Sequence, residues 1–544
     1  MAFSSALVLT DLDDFISPSQ ACIKPVEVQK SGGNEGSTIK VDDSGKYFEV
    51  TQDGGETQLQ QASITLNDCL ACSGCITSAE SILVSLQSHE ELIKVLNGNK
   101  RAIEHNIPAE VKTVVVSLSP QSRASLAAKY HLTPLQIHQK LTHIFKSEGV
   151  YYVFDTAFSR DISLVENAKE FVSKWRKRQE QQKQNMDNSM DVDVPASTSG
   201  PRVRRGPAKK LAASDRDEVT LPMLASSCPG WICYAEKTHG YVLPYISKTK
   251  SPQQMMGSIV KDFWAQKIGR KPNDVYHVAI MPCFDKKLEA SRQDFYDEEW
   301  ETRDVDCVIT TGEVEKLLEE SGWNLQAAPE GELDKYFTKA VIRDDGTATL
   351  MGTKGTSSGG YLDYIMTYAA RELFGINVDV DSTAADGTYA NVQIKTMRNS
   401  DMREVTLIDG NGNTLLKFAA AYGFRNIQNL VRKIKTGRSP YDFVEVMACP
   451  SGCINGGGQA LAQSEDGSQL NAVDAKAWIQ QVEAVYKSVG SGGELDARPE
   501  DNQIVHQLYH DWLGGADSEK ARHMLHTQYH AVTQTLQNPL AVKW

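Results

Sequence analysis

The chain has 544 residues, and at roughly 150 residues per domain that length suggests three or four structural units. Hydrophobic residues make up 40% and charged residues 23%, an ordinary globular composition, while a formal charge of −13 argues against a general nucleic-acid binder. No apolar run approaches the roughly 20 residues a spanning helix needs. The apolar start meets Asp11, Asp13 and Asp14 without a basic leader, so neither a secretory signal nor a transit peptide is expected.

In chain order, residues 28–62 are rich in Gly, Ser, Asp and Gln and read as a surface excursion with one strand-like interruption at 47–51. Residues 82–96 have helical spacing. Residues 111–118 form a short β-branched run that predicts a buried strand, and Ser119 with Pro120 opens a helix. A second strand is predicted at 150–154 and a helix at 162–175, an alternation that implies a parallel α/β unit. Residues 176–218 turn polar, then acidic, then Pro/Ser/Gly-rich, and read as a disordered linker. Its basic run (Arg202, Arg204, Arg205, Lys209, Lys210) reads as solvated linker, with a nuclear address or docking patch as the sharper alternative. Strands follow at 275–281, 307–311, 405–408 and 443–447, helices at 313–321 and 361–374, and a mostly helical tail at 503–537.

The ten cysteines are too sparse for a disulfide scaffold, and they are bunched, which suggests a reducing compartment and metal ligation. Cys69, Cys72 and Cys75 are spaced three apart around Gly74, so a tight turn could wrap three corners of a cubane. Ala79 stands where a ferredoxin run would place a further cysteine, which leaves Cys22 as the N-terminal candidate for a fourth thiolate. Structural zinc stays open on spacing alone, although it usually takes two separated pairs.

A second set is spread out. Cys283 follows the strand at 275–281 and Cys449 follows that at 443–447, and ligands in α/β sheets collect at the carboxyl ends of strands. Cys228 lies between Ser227 and Pro229, and Cys453 precedes Gly456, Gly457 and Gly458, which would let backbone approach a bulky cofactor. Neither this triplet nor residues 352–360 match a phosphate loop, so nucleotide hydrolysis is not expected.

These three cysteine segments resemble the cluster-binding signatures of iron-only hydrogenases. The resemblance continues at residues 119–123, 154–156, 251–255 and 304–312, and residues 508–515 with 525–529 are similar to the small-subunit tail of those enzymes. It implies an α/β, iron-only-hydrogenase-like large-subunit fold, two α/β lobes around a buried cluster. An N-terminal ferredoxin-like cluster segment and a helical small-subunit-like tail complete it. The implied division is an iron–sulfur segment at 1–108, the hydrogenase-like domain at 109–175 and 219–490, a linker at 176–218 between them, and the tail at 491–544. Carried over by position, Cys228, Cys283, Cys449 and Cys453 would ligate one 4Fe–4S cluster. In hydrogenases the last of these also bridges to a catalytic di-iron unit, and a cysteine precedes the first ligand as proton shuttle. Here that shuttle position is Ser227, whose hydroxyl would relay protons poorly at neutral pH. Lys286 and Glu289 match the family pattern, and they could equally form a salt bridge beside the cluster.

Ser227, and the single three-cysteine run in place of a longer relay, make the chain similar to the eukaryotic cytosolic iron–sulfur assembly factors related to the nuclear prelamin A recognition factor. That resemblance implies a non-catalytic protein with two 4Fe–4S clusters, the first on Cys22, Cys69, Cys72 and Cys75. The protein would link the early cluster scaffold to the late targeting complex in the cytosol, with the nucleus as a second location. Apoprotein targets would be reached indirectly, with no direct nucleic-acid or membrane contact. Two alternatives stand: an iron-only hydrogenase or related redox enzyme, and an interaction module that binds zinc or no metal. Trp544 resembles the aromatic docking tails of that pathway, but Lys543 departs from their pattern. Blander readings cover the rest. Cys233 and Cys307 are core thiols. His506 with His510, and His526 with His530, lack a third ligand. Trp231 and Met281 serve packing.

Overall fold

The structure, a computed structural model, describes residues 86–190, 220–460, 472–489 and 498–532 apart from 344, 346, 379, 381–386 and 390, together with residue 84 and three short N-terminal strands. The chain divides into two compact units, Met1–Ile82 and Leu83–Trp544. In the first, Thr38–Val41, Tyr47–Val50 and Glu56–Gln58 pair antiparallel in that order. Cys22, Cys69, Cys72 and Cys75 lie outside the described residues, as do the basic run at 202–210 and Trp544.

The second unit begins with helix α1 (His89–Glu104). Strand β1 (Thr113–Leu118) follows, buried along its whole length, as the interior of a parallel sheet requires of a Val-rich run. Helix α2 (Pro120–Tyr130) opens on a Ser119 cap that accepts from the Ser122 N–H, with Pro120 in the first turn where a missing N–H costs nothing. Helix α3 (Pro134–Glu148) opens on a reciprocal Thr133–Gln136 capping box. Strand β2 (Tyr152–Asp155) leads straight into helix α4 (Thr156–Met190).

That helix is longer at both ends than the predicted 162–175. The apolar spacing stops at Trp175, but the Arg, Lys, Gln and Glu that follow are good helix formers and need no core face to continue the turn. The first residues assigned to the linker are therefore helical. After β3 (Met223–Ala225) and α5 (Pro229–Thr238) come β4 (Val275–Met281), β5 (Cys307–Thr310) and α6 (Thr311–Glu320). Then follow α7 (Tyr361–Phe374), β6 (Gly387–Tyr389), β7 (Val392–Thr396), β8 (Met402–Ile408), β9 (Thr414–Tyr422), α8 (Phe424–Lys435), β10 (Phe443–Met447) and α9 (Ala472–Lys487).

Two sheets organise the unit. The first has four parallel strands in the order β5-β4-β1-β2. The second has six strands in the order β6-β7-β8-β9-β10-β3, antiparallel up to β9 and parallel from β9 through β10 to β3. The alternation in the sequence anticipates the first sheet and only the parallel edge of the second. The hairpin predicted after 405–408 joins β8 to β9. Helix α4 spans both sheets: Phe158 and Ile162 pack in the core that holds Val115 of β1, whereas Leu164, Ala168 and Phe171 pack under Phe418 and Phe443 of the second sheet.

The tail is less helical than predicted. Within 503–532 the chain is helical at Gln503–Gln507, in the wider turn Leu508–Trp512, and at Glu519–Leu525. Between them Gly514 and Gly515 take positive φ values of 69° and 117°, a conformation that ends a helix.

Candidate metal centre

Strand ends deliver the second set of cysteines. Cys228 follows β3 and caps α5, Cys283 lies two residues beyond β4, and Cys449 and Cys453 follow β10. All four are free thiols; Cys228 is buried and the others half-buried. They lie close enough to act on one another electrostatically. Burial pushes the Cys449 thiol well up, and Cys228, Cys283, Asp285 and Cys453 push it further. Cys283 is raised by burial, then by Asp285, Cys228 and Cys453. Cys453 is pushed up to about 12 by burial and Cys228. The quartet expected from the sequence is thus brought together, with one thiol from the first sheet and three from the second.

Close backbone approach makes this possible. A Cβ at Gly458 would sit 2.7 Å from Thr310 Cγ2 and 3.2 Å from Cys283 Cα, and one at Gly456 would collide with the Pro282 carbonyl. Gly458 N–H donates to that same carbonyl at 2.9 Å. The glycine triplet therefore presses the Cys453 turn onto the Cys283 turn, and a side chain there would drive the two apart.

Polar groups surround the sulfurs. The Ala448 N–H donates to Cys228 Sγ at 3.4 Å, and Cys453 Sγ lies 3.9 Å from Met447 Sδ. Ser226 Oγ accepts from Cys228 N at 3.0 Å and donates to the Val446 carbonyl, fixing the approach to the first ligand position. Lys286 pairs with Glu289 at 2.8 Å and donates to Ser251 Oγ at 3.3 Å, so the salt-bridge reading of this pair describes the geometry. Trp231 is buried beside the pocket in the same core as Met447 and Ala448.

One part of the pocket was missed in the sequence. Ser358 Oγ accepts from the Cys453 N–H at 3.0 Å, its carbonyl accepts from Ser227 Oγ at 3.5 Å, and a Cβ on Gly452 would collide with it. The loop around Ser358 thus covers the Cys453 turn. It is anchored on Glu445, a fully buried carboxylate that accepts from Leu362 N at 2.8 Å, Tyr422 OH at 2.7 Å and Thr356 Oγ1 at 3.1 Å. Burial raises the Glu445 carboxyl above its ordinary range. Gly355, Gly359 and Gly360 all take positive φ; their clustering in the sequence hints at a tight backbone path but not at what it covers.

The residues fit a cubane cluster. A single ion asks for three or more donors around one point, and among the described residues no group of His, Cys, Asp and Glu meets that geometry. A cube would address each thiolate to its own corner, hold as thiolates groups that burial otherwise keeps protonated, and accept N–H bonds to sulfur. The remaining candidates have other surroundings, although Cys233 lines a cavity with Ser226, Ser227 and Pro229. Cys307 is buried in β5 with its Sγ 3.6 Å from the Ser88 carbonyl, and Cys233 is half-buried on α5. His510 pairs with Asp511, His526 with Glu166 and His530 with Asp294.

Comparison with known proteins places the fold and the family. The profile of the iron only hydrogenase large subunit, C-terminal domain, matches residues 112–190 and 207–457, and that of the iron hydrogenase small subunit matches 476–532. A solved FeFe-hydrogenase, studied for oxygen inactivation of its H cluster, superposes with a TM-score of 0.61 at 27% identity, covering 81% of this chain and 98% of that one. Apo FeFe-hydrogenase HydA1 from Chlamydomonas reinhardtii gives 0.57 at 26%, covering 77% and 94%. Fold and profiles define an α/β protein of the iron-only hydrogenase large-subunit type with a small-subunit-like C-terminal region. Within that class, cytosolic Fe-S cluster assembly factor narfl of Xenopus tropicalis is 49% identical over 100% of this chain and 99% of its own. Cytosolic iron-sulfur assembly component 3 of Rattus norvegicus is 50% identical over 100% and 99%. The probable cytosolic Fe-S cluster assembly factor narfl of Dictyostelium discoideum is 43% identical over 100% and 99%. The chain belongs to the family of cytosolic Fe–S cluster assembly factors.

Proposed function

We propose that this cytosolic iron–sulfur assembly component works without catalysis, as an adaptor holding two 4Fe–4S clusters. Cys228, Cys283, Cys449 and Cys453 hold the inner cluster; Cys22, Cys69, Cys72 and Cys75 hold the outer one. It connects the proteins on which clusters are built to those that insert them into cytosolic and nuclear apoproteins. Among the described residues no helix is long and apolar enough to cross a membrane.

The observation that carries the reading is the meeting of four largely buried thiols beside Ser227. A hydroxyl bound to the Ser358 carbonyl supports retention of a cluster more than proton delivery to a reacting metal. When bound, the cluster supplies electron storage and a cross-link between the two sheets. The protein's own groups hold its thiolates, donate N–H bonds to them and keep water out.

Iron and sulfide analysis with electron paramagnetic resonance on anaerobically purified protein tests this. Two clusters give about eight irons per chain, and fewer than about four, or zinc in their place, defeats the reading. Hydrogen evolution with reduced viologen, or diatomic-ligand bands in the infrared, would instead establish an enzyme.

A further inference from the structure

We propose that the exposed face of α8 docks an acidic surface of a partner protein, an inference independent of how many clusters the chain holds. Residues 410–441 contain Lys417, Arg425, Arg432, Lys433, Lys435 and Arg438 and no Asp or Glu, in a chain whose net charge is −13. The helix buries Ile427, Leu430, Val431 and Ile434 in the core of the second sheet, so it is a fixed support. Arg425, Asn429, Arg432 and Lys433 point the other way and are exposed, at spacings that place them on one face. Arg438 extends that face past the helix end.

Apart from Lys417, which pairs with Glu404, these cations lack the partners their counterparts have elsewhere. Lys94, Lys100, Lys129 and Lys146 each pair with an Asp or Glu on the other lobe. Among the described residues, Arg425, Arg432 and Arg438 make no ion pair, and Lys433 and Lys435, with no carboxylate partner, stand over the rings of Tyr441 and Tyr241 at 5.6 and 5.5 Å, Lys435 also near His239. Tyr241 is itself 40% exposed. Arg and Tyr together are the residues that anchor protein interfaces.

The location matters. The Gly423 N–H donates to the Met447 carbonyl at 2.9 Å, and Gly423 faces Pro450, so the first turn of α8 rests against the Cys449 turn. A partner seated on α8 would therefore sit beside the second cysteine pocket. The helix is 12 residues, about 18 Å long, which suits an acidic protein patch. A nucleic-acid strand would run beyond the helix onto an otherwise acidic chain.

The test uses the full-length protein, reconstituted anaerobically, and a fluorescent Glu-rich peptide read by anisotropy. Affinity should fall steeply between about 50 and 200 mM salt. Combining Arg432→Glu, Lys433→Glu and Arg438→Glu should weaken binding at least about tenfold at the lower salt, with iron content and circular dichroism unchanged. Arg432→Lys and the distant Arg270→Glu should leave it as it is. Peptide binding indifferent to the triple reversal overturns the proposal, as does equal loss in Arg270→Glu. Displacement of the peptide by single-stranded DNA at far lower charge concentration would mark the face as a nucleic-acid site instead. A tenfold gain in peptide affinity on deleting residues 187–193 would show that the chain's own acidic segment is the occupant.

Discussion

The two sheets of the hydrogenase-like unit contribute unequally to the proposed cluster site. The first supplies Cys283 from β4. The second supplies Cys228, Cys449 and Cys453, all from two of its three parallel strands, β3 and β10. Its antiparallel strands β6, β7 and β8 lead to no cysteine of the quartet. Parallel strands end side by side, so the loops that follow them share one edge and their side chains can meet; antiparallel neighbours alternate their ends. The chemistry therefore sits where the second sheet adopts the connectivity of the first, and the rest of that sheet is support.

Four experiments bear on this division. Cys283→Ala and Cys449→Ala remove one thiol from each sheet, and either should cost the inner cluster, about four irons per chain by analysis. Either should also lower the melting temperature, because a group bound only by the folded form stabilises that form. Retention of full iron content by one variant alone would mean that the two sheets do not share a centre.

The first sheet also carries buried charge. Arg123 and Asp155 pair at 2.6 Å, both almost wholly inaccessible, and Arg123 stands 3.1 Å from His138 Nδ1. Burial works against the Asp155 carboxylate, but Arg123 and His138 hold it below its usual range. Arg123→Met should cost about 3–5 kcal/mol in urea denaturation by stranding Asp155, and adding Asp155→Asn should recover much of it.

Acid should act on the same sheet. Burial, with Arg123, lowers His138 to about 4, and burial lowers His277 to about 4. Unfolded, each would protonate near 6.5. As pH falls from 6.5 toward 4, the unfolded chain takes up protons that the folded chain refuses, so stability drops through that window, by at most about 3 kcal/mol per histidine. His277→Gln should flatten this acid limb in melting curves, whatever its effect at neutral pH.

The smallest effect belongs to the antiparallel region. Lys417 pairs with Glu404 at 3.1 Å in partial exposure. Lys417→Ala should cost under about 1 kcal/mol and no iron. Loss of iron in that variant would give these strands a part in the centre that their geometry does not suggest.

What could be read in the sequence follows the same line. The strands at 275–281 and 443–447 are β4 and β10 to the residue, since largely apolar runs, interrupted by His277 and Glu445 and bounded by Pro282 and by Cys449–Pro450, leave little room for another reading. The thiols they deliver were therefore legible. The loop around Ser358 was not, because its role depends on Glu445, which lies 87 positions further along the sequence. A carboxylate in the middle of a buried strand gives no local sign of what it holds. The continuation of α4 past Trp175 was hidden for the opposite reason. Apolar spacing marks the face a helix buries, and the end of that spacing marks the end of burial rather than the end of the helix.

Helix α9 adds a constraint in time. Ile454, one residue past Cys453, packs against Trp478, Val482 and Tyr486 of α9, and Tyr486 receives a hydrogen bond from buried Arg160 at 2.5 Å. A ribosome releases the chain from its amino end, so Cys228 and Cys283 emerge long before Cys449 and Cys453, and α9 emerges after all four. The Cys453 turn therefore reaches its final packing only after α9 has been made, so the full cysteine pocket is among the last parts of this unit to take its folded form.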